Sequence, residues 1–178
     1  MIVLMGAAGA GKSMQGHALA DEYGFAYLST GELFRVLITG RRRHEMLEGK
    51  LLSDEEVIKV VDKVFELIDT KQQFILDGFP RTKQQVDWLL DQHEKGRIDL
   101  PQIINLEISE VVVKERLQKR SRLDDTEEAI ARRYQEYESV THPLLKYIRE
   151  RGLAVHDIDA AQTPAEVNRD IVSALKLG

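Results

Sequence analysis

Short apolar runs alternate with longer amphipathic segments along the whole chain. Five runs favour β-strands: MIVLM (1–5), FAYLS (25–29), QFILD (73–77), IINLEI (103–108) and AVHDID (154–159). The segments between them have their apolar residues at helical spacing. This alternation predicts an α/β fold in which a parallel sheet is covered by helices on both faces.

Two helix starts are marked by capping signals. Ser53 and Glu56 have the spacing of a capping box, and the segment that they open has one apolar stripe. A last helix is expected after Thr163, with Pro164 at its first position and Glu166 as the reciprocal carboxylate. No repeat, low-complexity tract or linker interrupts the 178 residues, so we expect a single domain.

The balance of charge restricts the partners of the chain. Thirty acidic and 25 basic residues give a net charge of -5, so no global positive field attracts nucleic acid or anionic lipid. The segment GRRRHEMLEGK (40–50) is basic, but a solvated helix face is a better interpretation of it than a nucleic-acid patch. The apolar start lacks a basic n-region and is too short to span a bilayer, so we interpret it as a buried strand and expect no membrane association.

Cysteine is absent from the chain. This excludes disulfides and thiolate metal sites, and it favours a reducing, cytoplasmic location. The five histidines are scattered without ligand spacing. We therefore expect no zinc site.

A glycine-rich loop follows the first predicted strand. GAAGAGKS (6–13) matches the pattern G-x-x-x-x-G-K-S, and a helix is expected to begin near Lys12. In such a loop the backbone N–H groups and the helix N-terminus bind phosphate, the lysine reaches the β- and γ-phosphates, and the Ser13 hydroxyl ligates Mg²⁺. The glycines at positions 6, 9 and 11, with a lysine after them, do not match the fingerprint of a dinucleotide site.

A second apolar strand ends in an acid, in the segment FILDGFPRT (74–82). Asp77 is expected at the carboxyl edge of the sheet, where it can hold Mg²⁺ directly or through water. Gly78 and Pro80 predict a sharp turn that presents Arg81 beside the phosphates. By itself such a segment is usually only a turn. Because the chain also has a glycine-rich phosphate loop, we interpret this segment as part of the same nucleotide site.

Several stretches resemble the adenylate kinases, which are nucleoside monophosphate kinases. They are GAAGAGKS, LSTGELFR (28–35), DGFPRTKQQ (77–85), ERLQKRSRLDD (115–125) and IARRYQEY (130–137). The resemblance extends to about residue 165. It implies a P-loop NTPase fold with strand order 2-3-1-4-5, and Mg²⁺-dependent phosphoryl transfer from ATP to AMP that gives two ADP.

The resemblance also implies roles for the residues that match the family's motifs. The implied ATP-binding residues are Gly6, Ala7, Ala8, Gly9, Ala10, Gly11, Lys12, Ser13, Arg116 and Gln162. The implied AMP-binding residues are Thr30, Arg35, Leu51, Leu52, Gly78, Arg81, Gln85, Arg122 and Arg133. The implied catalytic residues are Lys12, Arg81, Arg116, Arg120, Arg122 and Arg133, and Ser13 and Asp77 are the implied magnesium ligands.

The chemistry of these residues agrees with that implied activity. Arginine is planar, permanently charged and rich in donors, so it can bridge phosphate oxygens as charge develops in the transition state. The glutamine amide of Gln85 can donate and accept at once, which suits the N1 and N6 edge of adenine. At the positions where this chain has STGE and DGFPRT, the sequences of relatives that prefer UMP or CMP look like SAGD and DGFPRN. By this resemblance, Thr30 and Thr82 also favour AMP.

The lid of the family is reduced to a vestige at about 119–125. Only Ser121 separates Arg120 from Arg122, and the link from Arg120 to Asp124 spans about 14 Å even when extended at 3.3–3.6 Å per residue. The AMP-side excursion at about 30–58 is also expected to be short. Our hypothesis is that the site is covered less completely, or that a homo-oligomer completes the cover. The choice between monomer and homo-oligomer stays open.

Two alternatives to adenylate kinase activity remain at this point. One is an enzyme of the same fold with UMP, CMP or another acceptor. The other is a non-catalytic nucleotide-binding module whose short lid has abolished turnover. Production of ADP from ATP and a panel of monophosphates separates these alternatives.

Overall fold

One five-stranded sheet organises the chain. The computed structural model of the protein describes residues 1–37, 52–120 and 127–177. The strands are β1 (Ile2–Gly6), β2 (Ala26–Ser29), β3 (Phe74–Asp77), β4 (Gln102–Glu107) and β5 (Val155–Asp159). The helices are α1 (Lys12–Tyr23), α2 (Thr30–Leu37), α3 (Asp54–Leu67), α4 (Lys83–Glu94), α5 (Glu110–Arg120), α6 (Glu127–Glu136), a π-helix (Tyr137–Thr141), α7 (His142–Glu150) and α8 (Pro164–Leu175).

The strands are parallel and have the order β2-β3-β1-β4-β5. Both the five predicted strands and their predicted order are confirmed. From β1 the chain crosses to the edge strand β2 and returns to β3 beside β1, and it then continues on the other side of β1 with β4 and β5. The strand order therefore reverses between β3 and β1. In open α/β sheets, ligands bind outside the carboxyl ends of the strands at such a reversal.

Each face of the sheet is buried by helices, as predicted. In β1, Ile2 and Leu4 point to one face, whereas Val3 and Met5 point to the other. The first face packs on residues of α1, α5, α6 and α8, including Leu19, Val113, Leu117, Ile130, Val167 and Ile171. The second face packs on residues of α3, α4 and α7, including Val61, Phe65, Val86, Leu89, Leu145 and Ile148.

The predicted caps are present in the structure. Ser53 and Glu56 form a reciprocal capping box at the start of α3, and Thr163 and Glu166 form another at the start of α8. Each box satisfies backbone donors that the first turn of a helix leaves without partners. The start of α1 at Lys12 is also confirmed.

The burial of two leucines predicts how much each contributes to the stability of the fold. Leu76 of β3 is 0% exposed and Leu67 of α3 is 84% exposed. We expect Leu76→Ala to lower the free energy of unfolding by about 2–5 kcal/mol, since it leaves a cavity in the core. Leu67→Ala is the matched control and should change it by less than about 0.5 kcal/mol. Urea unfolding measures both, and equal effects of the two variants would contradict the assigned core.

Candidate active site

The loop between β1 and α1 is held in shape by its own carbonyl groups and the following lysine. Lys12 Nζ donates to the carbonyl oxygens of Gly6 at 2.7 Å and Ala7 at 2.8 Å. Gly11 is the N-cap of α1 and contributes no side-chain capping bond. The loop therefore combines a lysine ammonium with a helix start whose amides are not capped by a side chain, which is an arrangement suited to an anion.

Close packing against β4 and α5 requires glycine in this loop. Gly6 has a φ of 136°, and a Cβ added there would lie 2.6 Å from the Leu106 carbonyl oxygen. A Cβ at Gly9 would lie 3.0 Å from Leu117 Cγ. The loop thus lies directly on β4 and α5, which brings α5 to the phosphate side of the sheet.

Asp77 is a buried carboxylate at the end of β3. It is 4% exposed, and its Oδ2 accepts hydrogen bonds from the Ser13 hydroxyl at 3.0 Å and the Tyr27 hydroxyl at 2.8 Å. Its carbonyl oxygen accepts a hydrogen bond from Thr30 Oγ1 at 3.2 Å. A charge buried this deeply is stable only with such partners. Ser13 and Asp77, the two predicted magnesium ligands, are thus in direct contact through this hydrogen bond.

The two predicted magnesium ligands offer a carboxylate and a hydroxyl oxygen. Mg²⁺ prefers oxygen ligands, and in nucleotide sites it is usually held by one or two protein groups together with substrate phosphates and water. Within the described ranges, no group of three or more His, Cys, Asp or Glu residues is placed to hold a metal. Ser13 and Asp77 fit a Mg²⁺ ion that arrives with the nucleotide.

Tyr27 was not identified by the sequence analysis. Its ring packs over Gly16, where a Cβ would lie 2.3 Å from Tyr27 Cε2, and beside His17 with 4.3 Å between ring centroids. Burial, and after it the charge of Asp77, raises the pKa of the Tyr27 hydroxyl above its ordinary value. Tyr27 thus remains protonated and donates to the carboxylate.

The turn after β3 brings Arg81 against the start of α2. Arg81 Nε donates to the Gly78 carbonyl oxygen at 2.9 Å. Gly78 has a φ of 83°, and a Cβ there would lie 2.6 Å from Thr30 Oγ1 and 3.3 Å from Arg81 Nη2. Glycine is therefore required at this position, and the predicted residues Thr30, Gly78 and Arg81 lie together.

Two guanidinium groups flank the first turn of α2. A Cβ at Gly31 would lie 3.6 Å from Arg35 Nη1, and the Gly31 nitrogen is 3.8 Å from the Cβ position of Gly78. Both Arg35 and Arg81 are exposed, and neither pairs with a carboxylate in the part of the chain that the structure describes. Two neighbouring cations without an acidic partner favour binding of an anion.

Gln85 is fixed at the start of α4. It is 3% exposed; its Oε1 accepts a hydrogen bond from the Arg81 backbone N–H at 2.7 Å, and its Nε2 donates to Asp54 Oδ1 at 2.7 Å. Thr82 is the N-cap of this helix and accepts a hydrogen bond from the Gln85 backbone N–H at 3.3 Å. Sequence reasoning identified Gln85 but not Asp54.

The residues predicted for ATP also come together. Arg116 Nη2 donates to the Gln162 carbonyl oxygen at 3.3 Å, and Gln162 Nε2 donates to Asp170 Oδ2 at 2.9 Å. Leu117, the next residue along α5, lies close to Gly9, so the helix that carries Arg116 packs against the phosphate loop. Arg133 is half-buried in α6.

Some of the predicted residues are not described. Leu51, Arg122 and most of the predicted lid lie outside the described residues, as does the side chain of Arg120, although its backbone ends α5. Leu52 is half-buried just before α3. The roles of these residues stay predictions.

The comparison with known families decides the assignment. A family model described as "Adenylate kinase" matches residues 4–153. The chain belongs to the adenylate kinase family. The adenylate kinases have the P-loop NTPase fold, as the resemblance implied.

Individual adenylate kinases match nearly the whole chain. The adenylate kinase of Corynebacterium urealyticum is 37% identical over 98% of this chain and 98% of its own. The adenylate kinase of Mycobacterium tuberculosis is 35% identical with the same coverage of both chains. That of Nitrobacter winogradskyi is 31% identical over 98% of this chain and 92% of its own.

None of the helices in the described ranges is long and apolar enough to cross a membrane.

The hydrogen bond from Tyr27 to Asp77 makes a prediction about stability. We expect Tyr27→Phe to lower the free energy of unfolding by about 1–2 kcal/mol, because a buried carboxylate loses one of its two hydroxyl donors. Urea unfolding monitored by circular dichroism measures the change.

A second tyrosine provides the control for this experiment. The Tyr147 hydroxyl donates to Asp87 at 2.7 Å, but the Asp87 side chain is 46% exposed. Water can replace the lost donor there, so Tyr147→Phe should cost less than about 0.5 kcal/mol. Equal losses in the two variants would contradict the special dependence of Asp77 on Tyr27.

Proposed function

We propose that this chain transfers the terminal phosphoryl group of ATP to AMP, giving two ADP, at the sheet edge where β1, β2 and β3 end. Membership of the adenylate kinase family gives the activity. The observation that carries the location is the meeting of three features at one edge: the phosphate loop with Lys12, the buried Asp77, and the arginine pair Arg35 and Arg81.

The donor nucleotide occupies the phosphate loop in this proposal. Lys12 exchanges its bonds to the Gly6 and Ala7 carbonyl oxygens for bonds to the β- and γ-phosphates. The backbone N–H groups of residues 6–13 bind the remaining phosphate oxygens. Arg116 and Gln162, which are already in contact, border the ATP from the other side.

Ser13 and Asp77 would hold the magnesium ion that accompanies ATP. When bound, Mg²⁺ neutralises charge on the β- and γ-phosphates. Tyr27 keeps the Asp77 carboxylate in one orientation, because its hydroxyl and that of Ser13 donate to the same oxygen atom. The second carboxylate oxygen then remains for the ion or for a water bound to it.

The acceptor nucleotide binds on the α2 side. Arg35 and Arg81 bind the AMP phosphate, and we assign Thr30, Leu51 and Leu52 to the binding of its base region. Gln85 reads the adenine edge. The AMP phosphate is already an anionic nucleophile, so no general base has to activate it.

The rate acceleration comes from alignment and charge stabilisation. Arg81, Arg116, Arg120, Arg122 and Arg133 are the candidates for stabilising the transferring group. Their planar guanidinium groups can follow the charge as it moves from the donor to the acceptor oxygen. We also retain the single-domain interpretation, with a reduced AMP-binding excursion at about 30–58 and a vestigial lid at about 119–125.

The activity predicts a defined product ratio. Purified protein with ATP, AMP and Mg²⁺ should form two ADP for each ATP consumed, and leaving out either AMP or Mg²⁺ should abolish ADP formation. Chromatographic separation of the nucleotides measures the ratio. Faster turnover with UMP or CMP than with AMP would replace the proposed acceptor, and ATP binding without ADP formation would indicate a non-catalytic module.

Arg81 makes the sharpest prediction about catalysis. We expect Arg81→Ala to lower kcat about 10³-fold or more, because an arginine that acts on the transferring phosphoryl group has an effect of this size. Arg151→Ala is the control. Arg151 forms hydrogen bonds with Asp87 and Tyr147, and none of these three residues is assigned to the site. Its kcat should be unchanged. A normal kcat in Arg81→Ala with both nucleotides saturating would remove Arg81 from the proposed mechanism.

A further inference from the structure

We propose that Asp54 fixes the orientation of the Gln85 carboxamide and thereby selects a 6-aminopurine over a 6-oxopurine in the acceptor nucleotide. This inference rests on the proposed role of Gln85 as the residue that reads the base. Asp54 is a positioning residue in this proposal, since it acts through its hydrogen bond to Gln85.

The two partners of the amide determine which end is oxygen and which is nitrogen. Gln85 Oε1 accepts a hydrogen bond from the backbone N–H of Arg81, which can only donate. Gln85 Nε2 donates to the carboxylate of Asp54, which can only accept when ionised. A flipped amide would place its oxygen against the carboxylate and its NH₂ group against the Arg81 N–H. Both contacts would become repulsive, so a single orientation is stable.

The groups that remain on the amide match one kind of purine. A carboxamide has two N–H hydrogens and two oxygen lone pairs. Within the described residues, one hydrogen and one lone pair of the Gln85 amide have no partner. Adenine offers an acceptor at N1 and a donor at N6, so this orientation can bind it through two hydrogen bonds. A 6-oxopurine has a donor at N1 and an acceptor at O6, and it would need the flipped amide.

The surroundings hold this arrangement in place. Gln85 is 3% exposed, so close packing opposes a change of its rotamer. Asp54 is the first residue of α3, directly after Ser53 in the capping box that Ser53 and Glu56 form. The carboxylate is therefore carried by a well-formed helix start, and it approaches Gln85 from a segment 31 residues distant in sequence.

Asp54→Asn tests the inference with almost no change of shape. The asparagine amide can either donate or accept, so it no longer opposes the flipped Gln85. The Arg81 N–H still does, so selectivity should fall without disappearing. We expect the ratio of kcat/KM for AMP to that for IMP to fall about tenfold, the factor that corresponds to one hydrogen bond to a charged group. The change should come from improved use of IMP, with the KM for ATP unchanged.

Matched variants separate this effect from a general disturbance of the helix. Glu55→Gln removes a carboxylate from the same helical turn, but Glu55 is exposed and forms no hydrogen bond with Gln85 in the described structure. Its AMP to IMP ratio should equal that of the unaltered protein. Asp54→Ser, which also donates or accepts, is a second variant for the case that Asp54→Asn does not fold. Calorimetric binding of AMP and IMP gives a readout independent of turnover.

A Gln85→Ala variant distinguishes the possible failures. If Gln85→Ala leaves the AMP to IMP ratio unchanged, Gln85 does not read the base, and the proposed role and this inference both fall. If Gln85→Ala lowers the ratio but Asp54→Asn does not, the role of Gln85 stands and the role of Asp54 is overturned. A ratio lowered by both variants, and not by Glu55→Gln, supports the inference.

Discussion

The carboxylate of Asp77 is the group on which the geometry of the candidate site depends. It is buried at the end of β3, beside the central strand, and a buried charge must be satisfied by donors or it destabilises the fold. Its oxygen Oδ2 binds Ser13 at the start of α1 and Tyr27 on β2, while its carbonyl oxygen binds Thr30 at the start of α2. The carboxylate and the carbonyl group of this one residue thus align the elements that the proposal assigns to the two nucleotides.

The distribution of arginines shows how an acidic chain keeps a local site for anions. Away from the sheet edge, three arginines pair with acids: Arg97 with Asp62, Arg149 with Asp157 and Arg151 with Asp87. Arg35 and Arg81, in contrast, have no carboxylate partner within the described residues, although they lie near each other. Holding two like charges together without a counter-ion costs free energy, which a bound phosphate would recover. Although the net charge of the chain is -5, these two arginines can therefore still attract a phosphate locally.

Much of this architecture could be predicted from the sequence because its signals are local. The strands are short apolar runs, the starts of α3 and α8 are capping boxes, and the phosphate loop is a continuous motif. Tyr27 and Asp54 could not be found in this way. Tyr27 reads as an ordinary strand residue and Asp54 as an acid in the first turn of a helix, since their important contacts join residues 50 and 31 positions apart. Hydrogen bonds across the fold leave no periodic pattern and no fixed spacing.

In the proposed mechanism, the turn from Asp77 to Gln85 joins phosphate binding to base recognition. Arg81 links the two proposed roles, because the residue whose guanidinium is assigned to the phosphate also donates its backbone N–H to the Gln85 amide. A base that displaced Gln85 would therefore shift Arg81, the residue that the proposal assigns to the acceptor phosphate. Such a displacement matters, since phosphoryl transfer depends on alignment and small errors in position reduce the rate strongly. On this argument, a wrong base is disfavoured in the transition state as well as in binding, and the selectivity of the site appears in kcat/KM.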